Sequence, residues 1–368
     1  MDRERKLDLK KLHYLDWIRA TAVLAVAYGH FVSVATYAPS FPSVISEKNE
    51  SNLPWIPVGT HVMDKFDLWL GQRFQTSTAA IGVVLFFWLA GYLTAMTREK
   101  YTGKEFIKKR LARIYPGLFI SVICVAVSAY LSQGIKYSFE DYFFNATLLY
   151  PFFRLNAIIG VLWTLSVEFI FDIISIHIKK FDFRSIFIVD FIITAICFRH
   201  IVHYSAEINY IIYFIKYIPM IFFGAALYEV TQNNKWKTYI LAAILFFLSY
   251  ENLYFLIKNV YTTETAYASI YTYIFAAFIW CGFKLMFNKN VKWIVEPNKI
   301  IGFISEISFL FYLLQLNIGL LVMYYIKIYL TTNAYIIVLV GIVSTVVVSA
   351  IIHYGVEKRI QVALNKRL

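Results

Sequence analysis

The chain has 368 residues, 60% of them hydrophobic, 19% aromatic and only 16% charged, with a formal net charge of +12. A soluble domain carries about a quarter Asp, Glu, Lys and Arg, so this composition excludes a dissolved globular protein. The positive charge would suit a nucleic-acid binder, and only its distribution along the chain decides against one.

Runs of about twenty apolar residues recur from end to end, each long enough to cross a hydrocarbon core of about 30 Å as a helix. The prediction is an all-α, polytopic membrane protein: one domain, 1–368, with about ten transmembrane helices and no internal repeat. The predicted spans are 16–38, 79–97, 115–133, 158–178, 185–203, 209–230, 237–256, 266–287, 302–327 and 334–354. The first follows a basic segment and is full length, so it reads as a retained helix, not a cleaved signal peptide.

That first span carries Asp16, Arg19 and His30. Arg19 and His30 are eleven positions apart, close to three turns, so they share a helix face with their backbones about 16 Å apart along the axis. Asp16, three residues before Arg19, can pair with it. A neutral imidazole can accept a hydroxyl proton near neutral pH and return it, so His30 suits a general base. A lone histidine that only hydrogen-bonds a neighbouring helix is the bland reading.

The outer loop 39–78 is the longest, with Pro39, Pro42, Pro54 and Pro57 excluding a regular helix through its first half. A loop of this length with Trp55, His61 and Trp69 could cover an acceptor site or serve as a tether. The inner loop 98–114, "REKYTGKEFIKKRLAR", is basic and reads as helical. Its charges could anchor the chain on anionic lipid. Alternatively Lys109, Arg110 and Arg113, within one turn, could grip the phosphates of a nucleotide-like ligand.

Further along, Glu168 and Asp172 lie one turn apart on an apolar helix, and two carboxylates so close demand a proton or a cationic partner. Glu306, near the start of the ninth span, reads as a helix cap. Glu357 reads as forming ordinary pairs at the inner surface. Cys124, Cys197 and Cys281 are widely separated inside spans and show neither metal-ligand spacing nor a disulfide framework.

The basic residues alternate with this topology. Twenty-five of the 35 Lys and Arg fall in the N-terminal, even-numbered and C-terminal segments, eight in the other five loops, and Arg19 and Lys216 within spans. The positive-inside rule then puts both termini in the cytoplasm and leaves no case for nucleic-acid binding. A transporter or flippase for a lipid-linked saccharide is the rival reading, since helices with buried charges also describe a transport pathway.

Several motifs converge. "YLDWIRATAVLAVAYGH" places Arg19, ten intervening residues and His30; "GVVLFFWLAGYL" covers 82–93; "FIKKRLARIYP" holds Arg110-x-x-Arg113; "LWTLSVEFIF" holds Trp163 and Glu168; "ISFLFYLLQ" covers 307–315. In this order and spacing they resemble the membrane-bound acyltransferase 3 family, whose members O-acylate saccharides and other cell-surface molecules. Four positions depart from that pattern: the family usually has Gly at Trp17, Asp at Val84, Ser at Ala90 and often His at Gln315.

The resemblance implies an O-acetyltransferase of the bacterial inner membrane, with acetyl-CoA or another acyl-CoA as co-substrate, no permanently bound cofactor and no metal. The donor phosphates would sit near Arg110, Arg113 and Lys109, with the pantetheine arm running past Arg19. His30 would act as general base on a saccharide hydroxyl, or carry the acyl group itself, with Asp16, Arg19 and Glu168 in the catalytic set. Trp163, Asp172, Tyr312 and Gln315 would support the acceptor.

Overall fold

A computed structural model describes residues 12–34, 62–178, 180–233 and 235–366. It is 84% helical, with no strand among the described residues. Eight helices there are long and apolar enough to cross a membrane, and the expected count of about ten is approximate.

In chain order, α1 (His13–Tyr28) runs into a π-helical turn, Gly29–Val34, that carries His30. α2 (Val62–Phe74) occupies the second half of the long outer loop, and residues 35–61 of that loop lie outside the described residues. α3 (Thr78–Arg98) begins where the Ser77 hydroxyl accepts the Ala80 N–H.

α4 (Gly103–Gln133) starts at a capping box formed by Thr102 and Glu105 and ends at Gly134, whose φ of 68° is the left-handed turn glycine adopts without strain. The basic segment expected to be helical is therefore the first third of a single long helix. α5 (Phe139–Ala146) and a 3-10 turn, Tyr150–Phe153, lead to α6 (Leu162–His177), which carries Glu168 and Asp172.

α7 (Phe183–Val202) is followed by α8 (Ala206–Ile215) and α9 (Ile218–Gln232); the span expected as one helix breaks at Lys216 and Tyr217, just before Pro219. After α10 (Trp236–Asn259), short α11 (Thr265–Ala268), α12 (Ile270–Asn288) and short α13 (Lys292–Val295) comes α14 (Lys299–Leu314). A π-helical turn, Gln315–Gly319, joins it to α15 (Leu320–Tyr329). α16 (Ala334–Ile352) passes through a third π-helical turn, His353–Glu357, into α17 (Lys358–Asn365).

The packing follows from small residues. Without water to drive helices together inside a bilayer, close backbone approach at glycine is the main source of association. α3 is the centre of the bundle: 78% of its most apolar stretch is buried, against 22% for α12. A Cβ at Gly82 of α3 would sit 2.6 Å from the Ala22 carbonyl of α1. A Cβ at Gly91 would collide with the Ile221 carbonyl of α9, and one at Gly224 of α9 with the Trp88 carbonyl of α3. The outer face carries bare apolar side chains, among them Phe191, Phe278, Leu339 and Ile351, a sheath no soluble surface tolerates. The protein is an integral membrane protein.

The α3–α9 seam generates a prediction. Gly224→Leu forces the two backbones apart, an overpacking cost of about 3 kcal/mol, and should lower both accumulation in membranes and the melting temperature in detergent. Gly282→Leu, where an added Cβ meets nothing within 4 Å, should leave both unchanged.

Candidate active site

A cavity of about 460 Å³ opens between α1, α3, α4, α6, α14 and the α16–α17 junction. Its exposed rim holds Glu306 and Lys358, each 49% exposed and 3.3 Å apart. Its lining gathers residues far apart in sequence: Asp16 and Arg19, Arg110 and Arg113, Thr164 and Glu168, Ser305 and Tyr312, His353 and Glu357.

The deepest charges are paired. Arg110 on α4 spreads its guanidinium between two carboxylates of α6: Nη2 donates to Glu168 at 2.7 Å and Nε to Asp172 at 2.7 Å. Asp172 is completely buried and Glu168 is 20% exposed towards the cavity, and the cation that meets both carboxylates is Arg110. A planar fork offering two parallel donors is the side chain suited to that task.

Arg19 is held in a second polar cluster: its Nη1 donates to the Ser305 hydroxyl at 2.8 Å, and that hydroxyl donates to Asp16 at 3.0 Å. Arg19 and Asp16 are 3.5 Å apart directly, the pairing their spacing predicted. Lys358 is taken by Glu306. That leaves Arg113, exposed to the cavity and, among the described residues, without a carboxylate at ion-pair distance.

Lys109, grouped with the two arginines by sequence, points away from them: its ammonium lies 4.7 Å from the Tyr101 ring and it does not line the cavity. Two other readings are corrected. Glu306 caps nothing, because α14 begins at Lys299 under an Asn298 cap and Glu306 accepts from the Tyr354 hydroxyl at 3.0 Å and from Lys358. Glu357 is not an ordinary surface pair; only 3% exposed, it is bonded to His353 Nδ1 at 2.7 Å, a residue sequence reasoning passed over.

The floor of the cavity is hydroxylic and aromatic. Thr164 and Tyr312 share a hydrogen bond of 2.9 Å, with Phe86 and Phe87 beside them. One turn beyond Tyr312 lies Gln315, buried, its Nε2 donating to the Tyr312 carbonyl at 3.3 Å. The π-helical turn that carries Gln315 packs against the one that carries His30, which makes Gln315 a polar neighbour of the His30 ring. His30 Nδ1 is buried without a hydrogen-bond partner among the described residues. His30 itself is not a lining residue of this cavity.

The departures from the family pattern sort by place. Trp17 packs on Trp293 and Phe283, with ring centroids 4.8 and 5.8 Å away, and Val84 is fully buried. Neither reaches the cavity, whereas Ala90 lines it and Gln315 neighbours His30. Trp163 lies just past the floor, 6.1 Å from Phe87.

Neither the curated proteins nor the solved structures give a match. A family model described as an acyltransferase domain matches residues 12–354, nearly the whole chain and every residue of the cavity but Glu357, Lys358 and Gln361. The chain therefore belongs to the membrane-bound acyltransferase 3 family, and it is a membrane acyltransferase.

Proposed function

We propose that the protein is an O-acetyltransferase of the bacterial inner membrane that takes the acyl group of a cytosolic acyl-CoA, acetyl-CoA foremost, and places it on a hydroxyl of a cell-surface or lipid-linked saccharide. One observation carries this reading: α1 and the π-helical turn that continues it connect a charged cavity at Arg19 to a half-buried imidazole at His30, its Nδ1 enclosed, three turns along.

The geometry favours a different role for each arginine of the pair. Arg110 is committed to Glu168 and Asp172, so its charge is spent inside the protein. Arg113 is the cavity cation open to a phosphate of the donor, and the Lys109 ammonium, turned onto the Tyr101 ring, does not line the cavity. Arg110 then serves the site by orienting Glu168, whose carboxylate lines the cavity beside Thr164 and Tyr312.

At the other end His30 removes the proton of the acceptor hydroxyl as its oxygen attacks the thioester carbonyl. The carbon–sulfur bond breaks, the coenzyme leaves as a thiolate, and the imidazolium releases its proton to restore the ring. An enclosed Nδ1 that meets no hydrogen-bond partner among the described residues suits proton acceptance in the Nε2–H tautomer, with Gln315 as its polar neighbour from the facing turn.

Two experiments test this. With labelled acetyl-CoA and membranes that contain the protein and its surface saccharide, His30→Ala should lower label transfer at least about 100-fold, the usual contribution of a general base. Its accumulation should stay at the level of the unaltered protein, and undiminished transfer would remove His30 from the chemistry. Arg113→Ala should raise the donor KM about ten-fold or more, the worth of one charge-assisted hydrogen bond. Arg110→Ala, by stranding two buried carboxylates, should instead cost about 3–5 kcal/mol of stability and show first as lost protein. An unchanged donor KM in Arg113→Ala would assign that arginine to lipid anchoring.

A further inference from the structure

A second buried ion pair lies away from the cavity, at the break between α8 and α9. Lys216 is fully buried, yet its ammonium is 2.9 Å from the Glu264 carboxylate, which comes from the segment between α10 and α11. Three tyrosine rings enclose it: Tyr213 at 3.7 Å, Tyr261 at 3.9 Å and Tyr217 at 4.6 Å from the ring centroids. The backbone here is also exceptional. The helix is interrupted between Ile215 and Ile218, and the Lys216 carbonyl is taken by the Asn252 amide at 3.1 Å.

A buried ion pair is weak support for stability, because apolar residues of equal size often do as well. What such a pair does well is fix geometry, and here the geometry leads somewhere. The Glu264 oxygen that meets Lys216 also accepts the Tyr217 hydroxyl at 2.6 Å. Tyr217, pinned at its tip, carries the Trp163 indole at a centroid distance of 4.9 Å, and Tyr267 packs on both rings at 5.6 and 6.1 Å. Trp163 adjoins Thr164 in the cavity floor and leans on Phe87 of the cavity wall. Three contacts therefore connect Lys216 to the floor over which the acyl group would pass.

We infer that Lys216 is a positioning residue: through Glu264 and Tyr217 it holds the Trp163 indole, and with it the adjoining Thr164 and Phe87 of the cavity, in the attitude the reaction requires. The inference rests on the acyl-transfer reading for its functional half. The ion pair tightens the short segment 260–269 onto the helix break, so the tyrosine cannot slide and the indole cannot tilt.

The test replaces the pair together, since Lys216→Met alone would strand a buried carboxylate. Lys216→Met with Glu264→Met should accumulate and melt like the unaltered protein, while transfer of label from acetyl-CoA per protein molecule falls at least about ten-fold, as expected when a group slips by a fraction of an ångström. The donor KM should change less than about two-fold. The Trp163 emission, taken as the difference between each protein and its Trp163→Phe counterpart, should shift. A normal rate per molecule with unshifted emission would reduce the pair to a structural element and overturn the inference. Tyr217→Phe, which removes one hydroxyl and keeps the ring, gives a milder probe: a shifted emission and a lower rate per molecule support the clamp, and neither change overturns it. If the unaltered protein transfers no label at all, the acyl-transfer reading fails, and the emission measurement still decides whether Lys216 holds Trp163.

Discussion

Arg110 reaches from α4 to α6 and meets two carboxylates there, each at 2.7 Å, and most of the site follows from that pairing. A guanidinium in low dielectric must be neutralised, and two carboxylates one helical turn apart resist ionising together; Arg110 bonds to both but balances the charge of one, so the other keeps its negative charge or a proton. Because the fork bridges two helices, it also sets the register of α4 against α6, which fixes Glu168 at the cavity wall and Thr164, one turn earlier, at the floor. It decides the charge of the cavity as well. With Arg110 neutralised within α6, Arg19 within its Asp16–Ser305 cluster and Lys358 by Glu306, the open positive charge on the lining is that of Arg113.

Three π-helical turns interrupt the α-helical register among the described residues, and each carries a polar group. The π-helical turn 29–34 holds His30, the turn 315–319 holds Gln315, and the turn 353–357 holds His353 and Glu357. An extra residue in a turn redirects side chains and frees backbone groups, and such turns concentrate at functional positions. Here two of them face one another, so that the amide is a polar neighbour of the imidazole. The Gly319 position shows how tight that junction is: a Cβ there would lie 2.5 Å from the Phe31 ring.

The fold was legible because its main signal is crude. Apolar runs of membrane length survive any error in side-chain detail, and the Arg19–Asp16 pair was readable because three residues on a helix are neighbours by geometry. What could not be read was long-range or sub-helical. The partner of Glu168 lies 58 residues away on another helix, and periodicity holds no record of it. Hydropathy runs unbroken through 206–232, so the interruption at Lys216 was invisible and the lysine looked like a stray charge. Glu306 was misread because the helix was taken to begin near Ser305, whereas its first turn starts at Lys299. His353 escaped because it stands at the edge of a span, although the rule applied to His30, that a titratable group in an apolar helix needs a reason, would have found it.

Polarity falls along the cavity in a direction that fits what must cross a bilayer. The rim is charged, with Glu306 and Lys358 exposed and His353, Glu357 and Arg113 just inside. The floor is a hydroxyl pair set among Phe86 and Phe87, with Trp163 and Tyr217 behind it. Gln315 lies one turn past Tyr312, in the π-helical turn that packs against the turn carrying His30. A nucleotide and its phosphates have no favourable place in such a floor, since an anion moved into low dielectric without a partner loses far more than it gains. A small acyl group does, and on the acyl-transfer reading it is the one part of the donor that needs to go further. On that reading, retaining the charged body at the rim while admitting the reactive end would be a property of the wall itself, and the apolar part of that wall would limit the water that meets the reacting group.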